Sequence, residues 1–476
     1  MLRRKTMKLS ALFEKAGITG ENKDVEISFI TDDSRKCRPG SLFVCHSGGE
    51  KYLDDAFKNG AQCAVSQNEL PGCVRVADSR EAYGTLCRAF FGFPERKLRL
   101  IGVTGTNGKT TTASMLAFIL ELSGRKTGLI STVANRIDGA EETDMTTPDC
   151  FLISKMLSSL AENSGEFCVI EASSQGLFQK RLSGFRFETA VFTNLTEDHL
   201  DYHKTFENYK NSKKELFRHC ENAVLNFDDP AFDEFSAVCG GKKLSYSVQS
   251  NDADFTAKDI REGEDSLGYV LVSDSIIQRV KLNLCGDFNV QNSLAAIIAA
   301  YSLGIGLQEA SAALKNYFPE KGRMEILDID TPYRVIIDYA HTPDSLRRAL
   351  LSLRRFCRGR LIVVFGCGGE REREKRPQMG KIASENADIV FVTADNSRSE
   401  STADIIAEIL SGVQKGKASV FACEDRRQAI TLALKKAKKG DTLLLAGKGH
   451  EIFQQLGSEK KSFDEREIVR LALGKR

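Results

Sequence analysis

The chain has no apolar stretch approaching the ~18 residues that a bilayer-spanning helix needs, so a membrane-inserted protein is not expected. It has no surplus of either charge: 67 Lys and Arg stand against 65 Asp and Glu, a formal net charge of +2. That balance argues against a surface that coats nucleic acid and against an acidic tail, and it points to small-molecule ligands. The thirteen cysteines include no C-x-x-C pair and sit mostly singly in apolar stretches, as reduced thiols do. Neither a disulfide framework nor a zinc site is expected from them. Internal repeats and low-complexity segments are missing, and histidine is scarce, with six in the chain. The first residues, Met1 to Met7, are basic but lack a following apolar h-region, so a cytoplasmic protein is expected, with Met1 and Met7 both open as starts.

With 476 residues the chain is too long for one core, and at roughly 100 to 200 residues per domain about three domains are expected. Short strand and helix signals run from Val25 to about Lys97: Ile27 to Ile30, Ser41 to Cys45, a helical Leu53 to Asn59, and Cys63 to Val65. The polar, proline-marked Phe93-Pro94-Glu95-Arg96-Lys97 places a boundary near residue 98. Strands and helices then alternate through Cys168 to Glu171, Thr189 to Asn194 and Ala223 to Asn226, the pattern of a parallel sheet flanked by helices. Residues 251–285 read as a strand-rich insert. A third alternating run begins at Arg334 and continues through Leu361 to Phe365, Ile389 to Val392 and Thr442 to Ala446. The fold class expected is α/β in three domains: 1–98, small; 99–321, central; and 322–476, Rossmann-like.

The most informative segment is Gly102-Val103-Thr104-Gly105-Thr106-Asn107-Gly108-Lys109-Thr110-Thr111-Thr112. It joins an apolar strand, Leu98 to Val103, to a stretch with helical spacing, Thr112 to Leu122. Such a turn lets backbone N–H groups close on phosphate oxygens, lets Lys109 reach the β/γ-phosphates and offers the Thr110 hydroxyl to Mg²⁺. The spacing is G-x-x-G-x-x-G-K-T rather than the usual G-x-x-x-x-G-K-[ST]. Glu171-Ala172-Ser173-Ser174 and the polar run Thr193 to His203 follow other strands, and bring carboxylates, hydroxyls and two histidines to the same sheet edge. Taken alone they are open to reading as solvated loops; beside a phosphate loop they suit metal-assisted ATP chemistry. Further along, Asp338-Tyr339-Ala340-His341-Thr342-Pro343, Gly366-Cys367-Gly368-Gly369-Glu370-Arg371, Lys375-Arg376-Pro377, Asp395-Asn396-Ser397-Arg398 and Gly447-Lys448-Gly449-His450-Glu451 each follow a strand, and each singly is open to a capping role.

Together, and with Thr146-Thr147-Pro148 and Gly322-Arg323-Met324-Glu325, these motifs resemble the Mur ligase family essentially end to end, and most closely its tripeptide-synthetase branch. The resemblance implies a UDP-binding N-terminal domain, a central P-loop ATPase and a C-terminal domain that brings in an amino acid. It implies an ATP-dependent amide ligase of peptidoglycan precursor synthesis: the carboxylate of UDP-N-acetylmuramoyl-L-alanyl-D-glutamate becomes an acyl phosphate, which an incoming amine attacks. ATP and Mg²⁺ are the implied cofactors, and a monomer acting on small molecules is expected, without nucleic acid or membrane partners. For ATP the implied residues are Gly105, Thr106, Asn107, Gly108, Lys109, Thr110, Thr111, Asn292, Arg323, Asp338, His341 and Lys375. Lys109, Glu171, His199 and Lys213 are the implied catalytic set, with Thr110, Glu171, His199 and Lys213 at the metal. Lys213 falls where the family carries a carbamylated lysine; its sequence context alone reads as a surface helix position. Ser34, Thr146, Thr147, Ser173, Gln179 and Arg181 match positions that hold the UDP-muramoyl dipeptide.

The amino acid implied is meso-diaminopimelate, through Arg371, Asp395, Asn396, Arg398, Gly447 and Glu451. A guanidinium at Arg398 suits the distal carboxylate and repels the ammonium of lysine. Three departures stand out: Gln175 where histidine is common, Ser397 where proline is common, and a short loop His46 to Lys51 lacking Asp-Gly-His. Serine at 397 is expected to loosen its loop, because proline would fix φ. The rivals are the same ligase adding L-lysine or another diamino acid, a folylpolyglutamate synthetase, which would lack the Asp33-Ser34-Arg35 module, and a regulatory ATPase that hydrolyses ATP without an acceptor.

Overall fold

A computed structural model describes residues 5–20, 25–133, 135–137, 145–263, 265–274 and 276–474. The basic start at residues 1–4 lies outside the described residues. Among those described, three principal sheets follow one another along the chain.

The first has four parallel strands in the order Phe29–Thr31, Ser41–Cys45, Ala61–Ser66 and Cys73–Arg75. Its apolar face packs under the helices Leu9–Ala16 and Ser79–Phe91. The second has nine strands in the spatial order Ile277–Leu282, Leu267–Val272, Phe255–Glu262, Lys242–Ser247, Cys220–Asn226, Phe187–Phe192, Arg99–Thr104, Phe167–Glu171 and Thr127–Ile130. The last six pair in parallel and carry apolar clusters on both faces, as near-continuous runs such as Phe167-Cys168-Val169-Ile170 require. The third sheet runs Glu325–Ile326, Arg334–Asp338, Thr442–Ala446, Leu361–Phe365, Ile389–Thr393 and Ser419–Cys423, parallel except for its first strand.

Two expectations change. Residues 251–285 are not an insert: Phe255–Glu262 pairs in parallel with Lys242–Ser247 and continues the central sheet, and the next two strands finish it antiparallel. The alternation Leu267, Tyr269 and Leu271, all buried, against the outward Gly268, Val270 and Val272 is that of an edge sheet covered on one side. The helix after the phosphate loop begins at Lys109 rather than Thr112, because Gly108 at φ +83° supplies the turn that opens it.

Candidate active site

The site begins with register. Val103 pairs with Glu171 and Thr104 with Phe192, so three strands end side by side and deliver Gly105, Ala172 and Thr193 to one edge. A side chain at Gly105 would meet Thr193 Oγ1 at 1.9 Å, and one at Gly108 would meet Asn292 Oδ1 at 2.3 Å. Glycine is therefore needed at both places for the loop to nest against its neighbours. Asn194 locks the loop from the side: its Oδ1 accepts from Asn107 N at 2.9 Å and its Nδ2 donates to Asn107 O at 3.0 Å. The helix Lys109–Leu122 then packs on the central sheet beside the helix Phe288–Ser302, with Met115, Leu116, Ile119 and Leu120 fully buried. Its first-turn N–H groups are left facing the cleft, as an anion site requires.

That cleft, of about 230 Å³, is lined by Thr106, Asn107, Gly108, Lys109, Thr110 and Thr111 on one side and by Arg323, Asp338, Tyr339 and His341 on the other. Thr146, Glu171, His199 and Asn292 also line it. Lys109 Nζ donates to Gly105 O at 3.0 Å and Thr106 O at 2.8 Å, and burial lowers its pKa. Glu171 is fully buried; Thr110 Oγ1 donates to its Oε2 at 3.0 Å and Thr132 N to its Oε1 at 3.1 Å. No lysine or arginine pairs with it among the described residues. Two bonds from the third domain reach the phosphate loop and the helix after it: Arg323 Nη2 donates to Thr110 Oγ1 at 3.0 Å, and Asp344 Oδ2 accepts from Asn107 Nδ2 at 3.0 Å. Arg323 also lies 4.7 Å over the Tyr339 ring. Asp338 accepts from Met324 N and Ala340 N, and burial raises its carboxyl. Burial, then Lys375, pushes His341 down to about 4, so it is neutral at pH 7.

Lys213 is not on the surface. It is 1 % exposed, its Nζ donates to Gly105 O at 2.7 Å, and it lies 4.5 Å over the Tyr209 ring. Burial and the neighbouring Lys109 drive its pKa well down. The flanking Lys210 and Lys214 both pair with Glu234, whereas Lys213 has no ion pair with a carboxylate among the described residues.

A second cleft, of about 150 Å³, gathers Arg371, Asp395, Asn396, Arg398, Gly447 and Glu451, together with Lys375. Lys375 thus lies in this cleft rather than beside the phosphate loop, its Nζ donating to His341 O at 3.2 Å. Asn396 Nδ2 donates to Glu451 Oε2 at 2.8 Å, and the buried Lys448 bridges Glu451 at 3.0 Å and Asn396 Oδ1 at 3.1 Å. Burial raises the Glu451 carboxyl against the pull of Lys448, whereas Lys448 and Arg426 hold Asp395 low despite its burial. Arg398 adopts φ +50° and donates through Nη1 to Gly369 O at 2.6 Å. Burial and the adjacent Arg371 push its guanidinium below the usual arginine range. The loop is not loose at Ser397: the residue is buried and Thr402 Oγ1 donates to its hydroxyl at 3.0 Å, a side-chain tie where proline would have acted through φ.

The two clefts share four walls: Asp198, His199, Tyr339 and His341. Near the first cleft Thr147 Oγ1 donates to Glu171 O at 2.6 Å, Arg181 donates to Thr147 O, and Gln179 Nε2 donates to Tyr202 Oη at 2.8 Å. Ser173 caps the helix Ser174–Phe178. Ser34 lies in neither cleft; its turn approaches the central domain where Lys36 pairs with Asp149 at 4.0 Å.

Glu171 and Thr110 suit a hard cation: a buried carboxylate lacking a cationic partner beside a phosphate-loop hydroxyl. Among the described residues no three His, Cys, Asp or Glu converge as a metal centre, so phosphate and water oxygens would complete such a site. Residues the sequence reading left without a role are Asp198, Thr132, Tyr339 and Lys448. Asp198 and Lys448 stand inside motifs already singled out, so their signal was position; Thr132 carries none.

Residues 103–300 match the model of the Mur ligase middle domain, and residues 322–449 that of the Mur ligase glutamate ligase domain. The UDP-N-acetylmuramoyl-L-alanyl-D-glutamate--2,6-diaminopimelate ligase of Clostridium botulinum is 40% identical over 464 residues, covering 94% of this chain and 95% of the relative. The protein of the same name from Gloeobacter violaceus is 41% identical over 486 residues, covering 99% of each. A solved structure of a ligase of that name superimposes with a TM-score of 0.69 at 32% identity, over 98% of this chain and 99% of the other.

Proposed function

The chain belongs to the Mur ligase family, and from that premise we propose that it joins meso-2,6-diaminopimelate to UDP-N-acetylmuramoyl-L-alanyl-D-glutamate at the expense of ATP. The observation that carries the reading is the shared wall of the two clefts. A phosphate-binding cleft and a cleft fit for a charged amino acid meet at Asp198, His199, Tyr339 and His341, where an acyl phosphate and an amine would have to meet. A carboxylate is a poor electrophile until one oxygen becomes phosphate, so the two ligands must share a border.

In this mechanism Lys109 and the first-turn N–H groups hold the γ-phosphate while the substrate carboxylate attacks its phosphorus and ADP departs with the bridging oxygen. Arg323 crosses from the third domain to the same oxygens. The neutral amine then adds to the acyl carbon, and the tetrahedral adduct loses the nitrogen's proton and phosphate, which leave together as hydrogen phosphate. Thr110, Glu171 and His199 would hold Mg²⁺, which when bound neutralises charge on the transferred phosphoryl group. Lys213, buried and without a carboxylate ion pair among the described residues, is suited to carbamylation: its amine, held neutral by burial, adds CO₂ and releases a proton, leaving an anion in place of a neutral amine. Asn292 is assigned to adenine. Ser34, Thr146, Thr147, Ser173, Gln179 and Arg181 are assigned to the UDP-muramoyl dipeptide. Arg398 and Arg371 are assigned to the distal carboxylate of diaminopimelate, and Glu451, Asp395 and Asn396 to its distal ammonium. The division 1–98, 99–321 and 322–476 is supported by the fact that no principal sheet crosses either boundary. We take the protein to act as a monomer in the cytoplasm, where ATP and a UDP-activated precursor are both at hand.

The test is phosphate release from ATP and Mg²⁺ with UDP-N-acetylmuramoyl-L-alanyl-D-glutamate, comparing meso-diaminopimelate, L-lysine, L-ornithine and no amino acid. Release dependent on diaminopimelate is expected. Release that needs no amino acid would refute a ligase, and preference for lysine would refute the Arg398 assignment.

A further inference from the structure

Beneath the amino-acid cleft lies an ion pair that the chemistry above does not use. Arg426 opens the helix Arg426–Lys436, and Glu465 opens the helix Glu465–Ala472 near the end of the chain. Both side chains are 0% exposed, and Arg426 Nε donates to Glu465 Oε1 at 2.8 Å. The other arms of the guanidinium go to backbone: Nη2 to Ala446 O at 2.7 Å and Nη1 to Ala394 O at 3.3 Å.

Those two carbonyls are the roots of the cleft. Ala446 ends the strand Thr442–Ala446 and is followed by Gly447 and Lys448; Ala394 follows the strand Ile389–Thr393 and is followed by Asp395 and Asn396. The two strands are not neighbours, because Leu361–Phe365 lies between them and pairs with both. The ladders to that middle strand end at the pairs Val364–Leu445 and Phe365–Val392, so beyond these rungs no ladder bond ties Ala446 to Ala394, and the planar guanidinium fork spans the two instead. Above it, the bonds of Lys448 to Asn396 and of Asn396 to Glu451 cross from one loop to the other. They hold only while the roots keep their separation. A buried ion pair is a weak device for stability, since its desolvation offsets most of the attraction. As a rigid spacer it has a use that an apolar pair of the same volume would lack.

We propose that Arg426, held by Glu465, is a positioning residue for the amino-acid cleft: it fixes the separation of the loops bearing Asp395-Asn396 and Gly447-Lys448 without touching the substrate. The inference rests on the assignment of that cleft to diaminopimelate. Misplacement of a binding group by about 1 Å costs on the order of 100-fold, so the expected effect is large and confined to one substrate.

Two variants test it. Arg426→Gln with Glu465→Gln keeps the pair neutral and hydrogen-bonded, and Arg426→Lys keeps the charge but loses the fork. Steady-state kinetics with each substrate varied in turn should show the KM for diaminopimelate raised at least tenfold in both. The KM values for ATP and the UDP-muramoyl dipeptide should stay within twofold, and kcat at saturating diaminopimelate within a few fold. A general loss of structure would move all three KM values and kcat together, and that result overturns the proposal. So does an unchanged KM for diaminopimelate in a folded variant; if the double variant fails to fold, Arg426→Lys decides alone, and its own failure to fold would mark the pair as structural and overturn the proposal too. The unaltered protein is assayed in parallel. If it shows no diaminopimelate-dependent phosphate release, the functional reading has failed; if it does and the variants match it, only the positioning role falls.

Discussion

Replacing Arg398 by alanine removes a guanidinium of the second cleft that has uncommitted donors. Its Nη1 is bound to Gly369 O at 2.6 Å, while Nε and Nη2 find no acceptor among the described residues. Arg371 stands close enough to disfavour a second positive charge, so an anion between the two would satisfy both. A carboxylate bound by such a fork forms two charge-assisted hydrogen bonds, each contributing about 1.5 to 3 kcal/mol. Taking about 3 kcal/mol for the pair after desolvation gives a rise in KM for diaminopimelate of roughly 150-fold. The cost to folding is small: one bond to Gly369 is lost, about 1 kcal/mol. The strain of φ +50° is common to arginine and alanine and cancels. Because the distal carboxylate is remote from the attacking amine, kcat at saturation and the KM values for ATP and the UDP substrate should change little. Arg398→Lys, with charge but no fork, should fall between. The assay is phosphate release with diaminopimelate varied at saturating co-substrates. A KM within threefold of the unaltered protein, in a folded variant, would refute the clamp.

Lys213→Ala should lower activity by at least 100-fold and recover part of it with added acetate or formate, whose carboxylate can stand where the carbamate stood; retained activity, or loss without rescue, would return Lys213 to a purely structural role. Burial holds His203 down to about 4 against an ordinary 6.5, so between those values the unfolded chain binds the proton and the folded one does not. Stability contributed by neutral His203 is therefore complete above pH 6.5 and falls by about 2 kcal/mol between pH 7 and 5. His203→Phe, which preserves the contacts with Tyr202 and Tyr209, should flatten that part of the slope in urea unfolding, and an identical slope would contradict the burial argument. Ser397→Pro loses the bond from Thr402 but no backbone donor, since the Ser397 N–H has no partner among the described residues. Its stability should stay within about 1 kcal/mol, as reduced chain entropy offsets one lost hydrogen bond. A tenfold change in the KM for diaminopimelate would show instead that the hydroxyl shapes the loop.

How much could be read in advance differs by kind of residue. The phosphate loop is local: glycine at 105 and 108, Lys109 and the flanking strand and helix lie within about twenty residues, and their geometry follows from the order of the letters. The amino-acid cleft is assembled from three strand ends, each marked by its own short polar motif, so its members were visible but their meeting was not. Lys213 is the opposite case. It stands in Lys210-Asn211-Ser212-Lys213-Lys214, a stretch as polar as any surface helix. Only tertiary packing brings the Lys213 ammonium to the carbonyl of Gly105, while Glu234, twenty residues on, takes the other two lysines. Residues 251–285 failed differently: their strands were recognised, but no local signal says whether a strand joins an existing sheet or starts its own. Arg426 and Glu465 are 39 residues apart and each looks like an ordinary first-turn helix residue, so nothing short of the fold pairs them.

The nucleotide cleft is closed by the chain itself in a way that bears on the order of events. Thr110 Oγ1 donates to Glu171 and accepts from Arg323; Asn107 donates to Asp344; Lys109 is folded back onto the carbonyls of its own loop. In the proposed mechanism Lys109 and Arg323 are needed by phosphate and Thr110 by the metal, and two of the bonds tie the central domain to the third. A triphosphate entering between them must exchange those contacts for its own oxygens. Lys109 and Arg323 exchange neutral acceptors for anionic ones and gain by it. The Asp344 carboxylate gains nothing from the change, and it already pairs with Arg348 at 2.9 Å, a residue that also lines the cleft. Nucleotide binding should therefore release Asn107 from Asp344 while keeping Arg323 on the phosphate side, a rotation of the third domain about its Arg323 end rather than a plain opening. Such a rotation would move the wall shared by Tyr339 and His341, and with it the border across which the amine must reach the acyl phosphate.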